Sequence, residues 1–220
     1  QGVQSVFAAE RISLLGGHTV ESEEWSLGFT LWGSARDALW PKRGAHPGDT
    51  LLLTKPLGTG ILLAAHMQGA ASGSGLEACL RSMSQSQRCS WEVLGRLPVN
   101  ACTDVTGFSL LGHLSEMLAE DSVSAELTFS AIPFLEQAES LFARGYHSRM
   151  QKLNQRSFPV PGLRPEAEIL YDPQTSGGLL AALSPENAQK ALAELQALGV
   201  EAACIGRLTQ ASEQKIRVLF

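Results

Sequence analysis

The sequence predicts an α/β fold, and three features carry that prediction. Short apolar runs of strand length recur along the chain, segments with apolar residues at helical spacing follow several of them, and Gly and Pro punctuate the joins. At 220 residues the chain is long enough for one large domain, or for one domain with part of another. A hydrophobic fraction of 44% with 18% charged residues excludes disorder of the highly charged, apolar-poor kind. The net charge of −5, from 17 basic and 22 acidic residues, leaves no basic footprint for nucleic acid. No apolar run reaches the roughly 20 residues of a membrane helix, and residues 1–10 lack the charged start and apolar core of a signal peptide.

Taken in order, residues 2–12 read as a helix, and Ser13-Leu14-Leu15 as a strand stopped by Gly16-Gly17. A second strand spans Trp25 to Trp32, and the Gly-, Pro- and Arg/Lys-bearing stretch 39–48 reads as a domain linker. Thr50 to Thr54 is a continuous apolar run, as expected of a strand buried on both faces. Lys55 to Gly60 forms the turn into a helix over 61–67, residues 68–75 a loop, and 76–96 a weakly patterned helix. Val99 to Thr103 reads as a strand and 106–119 as a helix, because Phe108, Leu111, Leu114 and Leu118 share one face. A strand over 124–129, a helix over 133–143 closed by Gly145, and an irregular stretch over 146–168 follow. Leu179 to Leu183 is a strand entered through Gly177-Gly178. Ser184-Pro185 caps a helix whose stripe is Ala188, Ala191, Leu192, Leu195 and Leu198, and Gly199 ends it. Strands over 201–205 and 216–219 complete an α/β domain from about residue 45 to 220.

Chemistry concentrates in four strings. Thr103-Asp104-Val105-Thr106-Gly107-Phe108 joins a strand to a helix, a position where ligands gather in open α/β sheets. Asp104 either caps the following helix or sets a carboxylate beside a phosphate-bound Mg²⁺, with Gly107 allowing close anion approach. Gly112 in that helix points to close packing, and His113 beside it reads as structural. Lys55-Pro56-Leu57-Gly58-Thr59-Gly60 follows a strand but lacks the Gly-Lys-Ser/Thr of a P-loop. Lys55 either neutralises a phosphate or ends a strand in solvent. Asp172-Pro173-Gln174-Thr175-Ser176-Gly177-Gly178 is either a tight loop whose Asp and Ser bond their own backbone, or a place where two adjacent glycines permit positive φ or close backbone contact. Gly16-Gly17-His18-Thr19 alone is a turn beside a histidine. The cysteines, Cys79, Cys89, Cys102 and Cys204, have neither zinc-knuckle spacing nor the density of a disulfide scaffold, and are expected to be reduced cytosolic thiols.

Together these four strings, with Leu110-Leu111-Gly112-His113-Leu114, resemble the selenophosphate synthetase (selenide, water dikinase) family in order and near-family spacing over essentially the whole chain. The resemblance implies an aminoimidazole-ribonucleotide-synthetase-like two-domain architecture. Residues 1–44 would be the remnant of an N-terminal nucleotide-binding domain that pairs across a homodimer, and 45–220 a complete C-terminal α/β domain. It implies a cytoplasmic, Mg²⁺-dependent enzyme that converts ATP, selenide and water into selenophosphate, AMP and phosphate, with no nucleic acid or membrane as partner.

Carried over by position, Asp104 matches a magnesium-binding aspartate. Gly16, Gly17 and His18 match a segment that contacts the ATP of the other subunit. Lys55, Thr175, Ser176 and Gly177 are candidates for the phosphate end of the site. No catalytic residue falls in these 220 residues: the family's reactive Cys or selenocysteine, its Lys and its other magnesium-binding aspartates belong to a part that would precede Gln1. Cys102 lies in a different element and is no substitute. The expectation is therefore a fragment with negligible activity alone and with exposed apolar surface, in some relatives preceded by a fused oxidoreductase domain. Ser109 stands where the family usually has Gly, and residues 145–156 match poorly, although Asn154 aligns with a family asparagine. The alternatives are a related thiamine-phosphate-kinase-like enzyme, which the TKPLGTG and DPQTSGG strings disfavour, and a catalytically degenerate nucleotide-binding, dimer-forming member.

Overall fold

The computed structural model describes residues 6–7, 12–23, 26–34, 39–119 and 122–220. The chain divides into two units, Gln1–Ala38 and Leu39–Phe220. In the first, Val6 and Phe7 are helical, and the rest of the helix expected over 2–12 lies outside the described residues, apart from Ile12, which is not helical. The strands expected at 13–15 and 25–32 do not form among the described residues, and Trp25 lies outside them. A strand is stable only with a ladder partner and a face to bury. Here Leu14, Leu15, Leu27 and Trp32 are each at least 74% exposed.

The second unit holds a six-stranded sheet: β1 (Thr50–Leu53), β2 (Ala101–Asp104), β3 (Val123–Thr128), β4 (Leu179–Leu183), β5 (Ala203–Gln210) and β6 (Ile216–Leu219). Its order is β2-β4-β1-β5-β3-β6. Every neighbouring pair is antiparallel except β3–β6. The continuous apolar run of β1 is explained by burial on both faces. Leu51 and Leu53 join the larger core, while Leu52 joins a second cluster with Val93, Leu94, Ala188, Ala191 and Leu195. β5 runs five residues beyond the strand expected over 201–205. Gly206 lets it pass β3, since a Cβ there would stand 2.2 Å from the Glu126 carbonyl oxygen.

The helices are α1 (Thr59–Met67), α2 (Gly73–Ser84), α3 (Arg88–Leu94), α4 (Ser109–Leu118), α5 (Ala138–Ala143), α6 (Arg149–Ser157) and α7 (Pro185–Ala197), with 3₁₀ turns at Phe129–Ala131 and Pro165–Tyr171. α7 has the expected start: the Ser184 hydroxyl accepts from the Asn187 amide, with Pro185 in the first turn. The single helix expected over 76–96 is two, and the first begins within the expected loop, where Ser72 accepts from the Gly75 amide at 3.1 Å. The helix expected over 133–143 starts five residues later. Pro133 and Phe134 instead run extended beside Leu57, whose amide donates to Pro133 O, and Gln137 takes φ +70°. Gly145, at φ +88°, closes it as expected. α6 lies in a stretch expected to be irregular. It is almost wholly polar, RMQKLNQRS, and buries Gln151 and Asn154 where an apolar stripe would ordinarily announce a helix.

α4 is the helix that follows Asp104. Leu110, Leu111, Leu114, Met117 and Leu118 are buried, whereas Phe108 sits at the N-cap, half exposed, rather than on the expected stripe. Gly112 packs closely, as the sequence suggests: a Cβ there would lie 2.9 Å from the Phe158 ring. Ser109 is fully buried at φ +69°, a left-handed conformation that a side chain makes unfavourable. Among the described residues its hydroxyl has only a long 3.5 Å contact with the Gly112 amide to offset this. Ser109→Gly is therefore expected to stabilise the protein by about 0.5–1 kcal/mol. Urea unfolding of the two proteins side by side measures it, and equal or lower stability of the variant contradicts this account of the strain.

Candidate functional site

Antiparallel pairing sets the C-terminal ends of β1 and β2 beside the N-terminal end of β4: Leu53 faces Leu180, and Asp104 faces Leu179. The loops 54–58, 105–108 and 172–178 therefore meet at one end of the sheet. This brings together Lys55, Asp104, Thr175, Ser176 and Gly177. Gly16, Gly17 and His18 belong to the other unit, where all three are exposed and line a cavity of about 930 Å³ with Thr19, Val20 and Glu21.

The loop 172–178 organises the cluster by capping α1 from outside. The first amides of a helix lack intrahelical acceptors, and Gly58, at the N-cap of α1, has no side chain to supply one. The Gln174 side-chain oxygen accepts instead from the Gly58 amide (3.0 Å), the Thr59 amide (3.2 Å) and the Thr59 hydroxyl (3.2 Å). Asp172 Oδ2 accepts from the Gly60 amide at 3.1 Å. Gln174 Nε2 donates back to Asp172 O and Oδ2, and the Thr175 amide donates to the Thr59 hydroxyl. Asp172 is 1% exposed, and burial pushes its carboxyl up to about 7 against the opposing donors of Gln174, Ile61 and Gly60.

Lys55 corrects an expectation. It is 2% exposed, and its ammonium donates to the carbonyls of Ser82 (2.7 Å), Gln85 (2.8 Å) and Ser176 (2.9 Å). An ammonium has three protons, so none is left for a phosphate. Two of these carbonyls belong to the last turn of α2 and the residue that ends it, where a cation is favourable, and the split between α2 and α3 is at this point. Burial lowers the Lys55 pKa.

The glycines also serve internal packing. A Cβ on Gly177 would stand 2.0 Å from the Val105 carbonyl oxygen, and one on Gly178 would stand 2.7 Å from the Lys55 amide nitrogen. Close backbone approach between protein segments is what Gly177 provides. Thr175 and Ser176 are exposed, Ser176 at φ +52°. Gln87, which carried no recognisable signal in the sequence, ties the loop down by donating to Gly177 O at 2.7 Å while accepting from the Thr54 hydroxyl. Asn154 donates to Gly107 O and Tyr171 O, pinning the other side.

Asp104 is the exception. It ends β2, is exposed, and does not cap α4, which begins at Ser109 with no side-chain cap. The Thr106 hydroxyl stands 3.0 Å from its Oδ2 and 3.2 Å from Nε2 of buried His113. Burial lowers the His113 pKa despite the nearby Asp104 and Glu116 carboxylates. The Cys102 thiol is pushed up to about 12 by burial and then by Asp104, which leaves it inert as a nucleophile at neutral pH.

Among the described residues, no group of three or more His, Cys, Asp or Glu could hold a metal ion. Mg²⁺ is commonly held by one or two carboxylates, with substrate phosphates and water completing its shell. An exposed carboxylate at the mouth of three loops fits one place in such a shell, and Asp104 is the residue that offers it.

The comparisons agree with this architecture. The family model described as "AIR synthase related protein, C-terminal domain" matches residues 46–219. The chain belongs to this family. Among curated relatives of this AIR-synthase-related chain, the selenide, water dikinase of Pelobacter propionicus is 37% identical over 215 residues, covering 94% of this chain and 62% of that protein. The selenide, water dikinase of Myxococcus xanthus is 38% identical over 231 residues, covering 99% and 64%. The chain thus spans under two thirds of the length of these relatives. Among solved structures, thiamine-monophosphate kinase from Stenotrophomonas maltophilia superposes with a TM-score of 0.57 at 18% identity, covering 81% of this chain and 52% of that one. The hydrogenase maturation protein HypE of E. coli superposes at 0.58 and 23% identity, covering 81% and 48%. At these identities the structural likeness establishes the α/β fold of the AIR-synthase type. No helix among the described residues is long and apolar enough to cross a membrane.

Lys55→Met leaves three carbonyls without their donor, and is expected to cost about 3 kcal/mol or more in denaturant unfolding; a near-neutral effect contradicts the strapping role. Asp172 gives a pH signature. Its folded-state pKa of about 7 lies above its ordinary value of 3.8, so the folded state holds the proton more tightly. That contribution to stability is present in full below about pH 4 and is lost as pH rises through 7. The stability of Asp172→Asn, followed by urea unfolding from pH 4 to 8, is expected to lack this decline.

Proposed function

We propose that this chain is the C-terminal part of a selenide, water dikinase, which converts ATP, selenide and water into selenophosphate, AMP and inorganic phosphate, one phosphoryl group passing to selenide and the other to water. The observation that carries the reading is similarity at 37% identity along 94% of the chain to a protein of that name. The four strings, at Gly16-Gly17-His18, Lys55–Gly60, Thr103–Phe108 and Asp172–Gly178, support it further. The exposed Asp104 carboxylate supports it independently of any alignment.

Phosphoryl transfer needs little covalent chemistry from the protein; positioning and charge neutralisation dominate. In this reading Asp104 is one ligand of a Mg²⁺ that neutralises charge on the ATP phosphates. Lys55, Gln174, Asp172 and Gly177 act at one remove, by holding the loops that present Asp104. Thr175 and Ser176, exposed on the same loop, face the phosphate end. Gly16, Gly17 and His18 reach the ATP bound by the other protomer of a homodimer. Residues 1–44 are then part of an N-terminal nucleotide-binding domain and 45–220 the C-terminal domain of a cytoplasmic enzyme. The proposal assigns the reactive Cys or selenocysteine and its Lys to sequence outside these 220 residues.

The test uses the longest natural protein that contains this chain. Its phosphorus products with ATP, selenide and Mg²⁺ are followed by ³¹P NMR, and selenophosphate and AMP are expected. Asp104→Asn is expected to lower the rate by about 100-fold or more, the scale of a lost electrostatic contact to a transferring phosphoryl group. ATP consumption independent of selenide refutes the reading, and an unimpaired Asp104→Asn variant refutes the metal role.

A further inference from the structure

A second concave surface lies between α5 and the 3₁₀ turn Pro165–Tyr171. It is a cleft of about 430 Å³, within the range of about 300–1,000 Å³ typical of small-molecule pockets. None of its lining residues belongs to the loops 54–58, 105–108 and 172–178. On α5, Glu139, Phe142 and Ala143 lie three and four apart and share one face. On the turn, Glu166 and Ile169 are three apart, which stacks them on one face of a 3₁₀ helix. Phe129, half-buried like Phe142, joins the lining, and Ile169 is 1% exposed.

The charge of this lining is one-sided. It holds two exposed carboxylates, and no lysine or arginine. Among the described residues Glu139 has no basic partner, and Glu166 has only Arg164, at a loose 3.9 Å. Arg164 is instead stacked over the Phe220 ring, 4.1 Å from its centre, and that ring stands 5.3 Å from Phe129. The aromatic cluster beside the cleft thus already carries one cation. A ring face attracts a cation through its quadrupole, and a carboxylate within reach adds a charge-assisted hydrogen bond to an ammonium. An anion would meet two like charges, and a neutral apolar body would gain its burial alone.

We propose that this cleft is a binding site for a small organic cation with an aromatic or bulky apolar body. The body sits against Phe129, Phe142 and Ile169, and the ammonium pairs with Glu139 and Glu166. Binding here is non-covalent, and the assignment stands or falls independently of the dikinase reading, because it uses none of the residues that carry it.

The probe is tryptamine, an indole with an ethylammonium arm. Tryptophol replaces the ammonium with a hydroxyl, and indole-3-propionate carries a carboxylate in its stead. Binding is followed in the longest natural protein that contains this chain, through the Ile169 δ1-methyl signal of isoleucine-methyl-labelled protein. A saturable shift with an apparent Kd on the order of 1 mM is expected for tryptamine, the scale of a ligand with roughly twelve non-hydrogen atoms. Tryptophol is expected to bind about 3- to 10-fold more weakly, and indole-3-propionate more weakly still. An Ile169 signal unmoved by about 10 mM tryptamine overturns the proposal, as does equal or tighter binding of either analogue. Two variants locate the contacts. Glu139→Gln combined with Glu166→Gln changes only exposed side chains, and is expected to bring tryptamine within about twofold of tryptophol while leaving tryptophol unchanged. A preference for tryptamine that survives this double substitution overturns the assignment. Ala143→Phe, at the exposed end of α5, fills the cleft, and is expected to weaken tryptamine and tryptophol alike by about fivefold or more; an unchanged Kd places the probes elsewhere and overturns the site.

Discussion

The site depends on one buried polar contact, the capping of helix α1 by the side chains of Gln174 and Asp172. A helix that starts on Gly58 begins without an acceptor for its first amides. Leaving buried amides unpaired is expensive, on the order of 1–3 kcal/mol each. The loop 172–178 supplies the missing acceptors, and in doing so is held against the first turn of α1 and the end of β1. Two sequence strings more than a hundred residues apart are halves of a single hydrogen-bonded unit. Neither half has a satisfied conformation without the other.

This pairing redistributes the chemistry that the strings suggest one at a time. Lys55 has the charge and the position of a phosphate ligand, yet three carbonyls consume its protons. Gly177 and Gly178 have the freedom of an anion cradle, yet that freedom lets backbone segments touch. The polar groups that hold the loops turn inward, and Asp104, at the end of β2, is the carboxylate of the cluster left facing out. A charged ligand would meet a rigid scaffold with a small reactive face, an arrangement suited to a reaction governed by positioning.

Much of the fold was legible. β1, β4, β6 and α7 lie close to where apolar runs, Ser-Pro caps and glycine stops put them, because those signals are local. α6 was not legible, because its buried positions are the polar Gln151 and Asn154, which bond to backbone carbonyls instead of packing as a stripe. The late start of α5 was hidden as well: Pro133 and Phe134 are drawn into pairing with Leu57, a partner far away in the chain. The strands expected before residue 34 carry suitable residues, but among the described residues they have no ladder to join.

For the site, the sequence alone determined which residue types were available and in which strings, and singled out Asp104 at a strand end. The family resemblance also marked Ser109, where the family usually has Gly, and the left-handed backbone supplies the reason. Tertiary structure alone decided the antiparallel order of the sheet, the inward turn of Lys55 and the capping roles of Asp172 and Gln174. It also linked Asp104 through Thr106 to His113 and Glu116. The division has a physical basis. Apolar periodicity and turn chemistry act between neighbours along the chain, whereas a hydrogen bond is spent on whichever partner folding brings within 3 Å, and sequence distance carries no record of that choice.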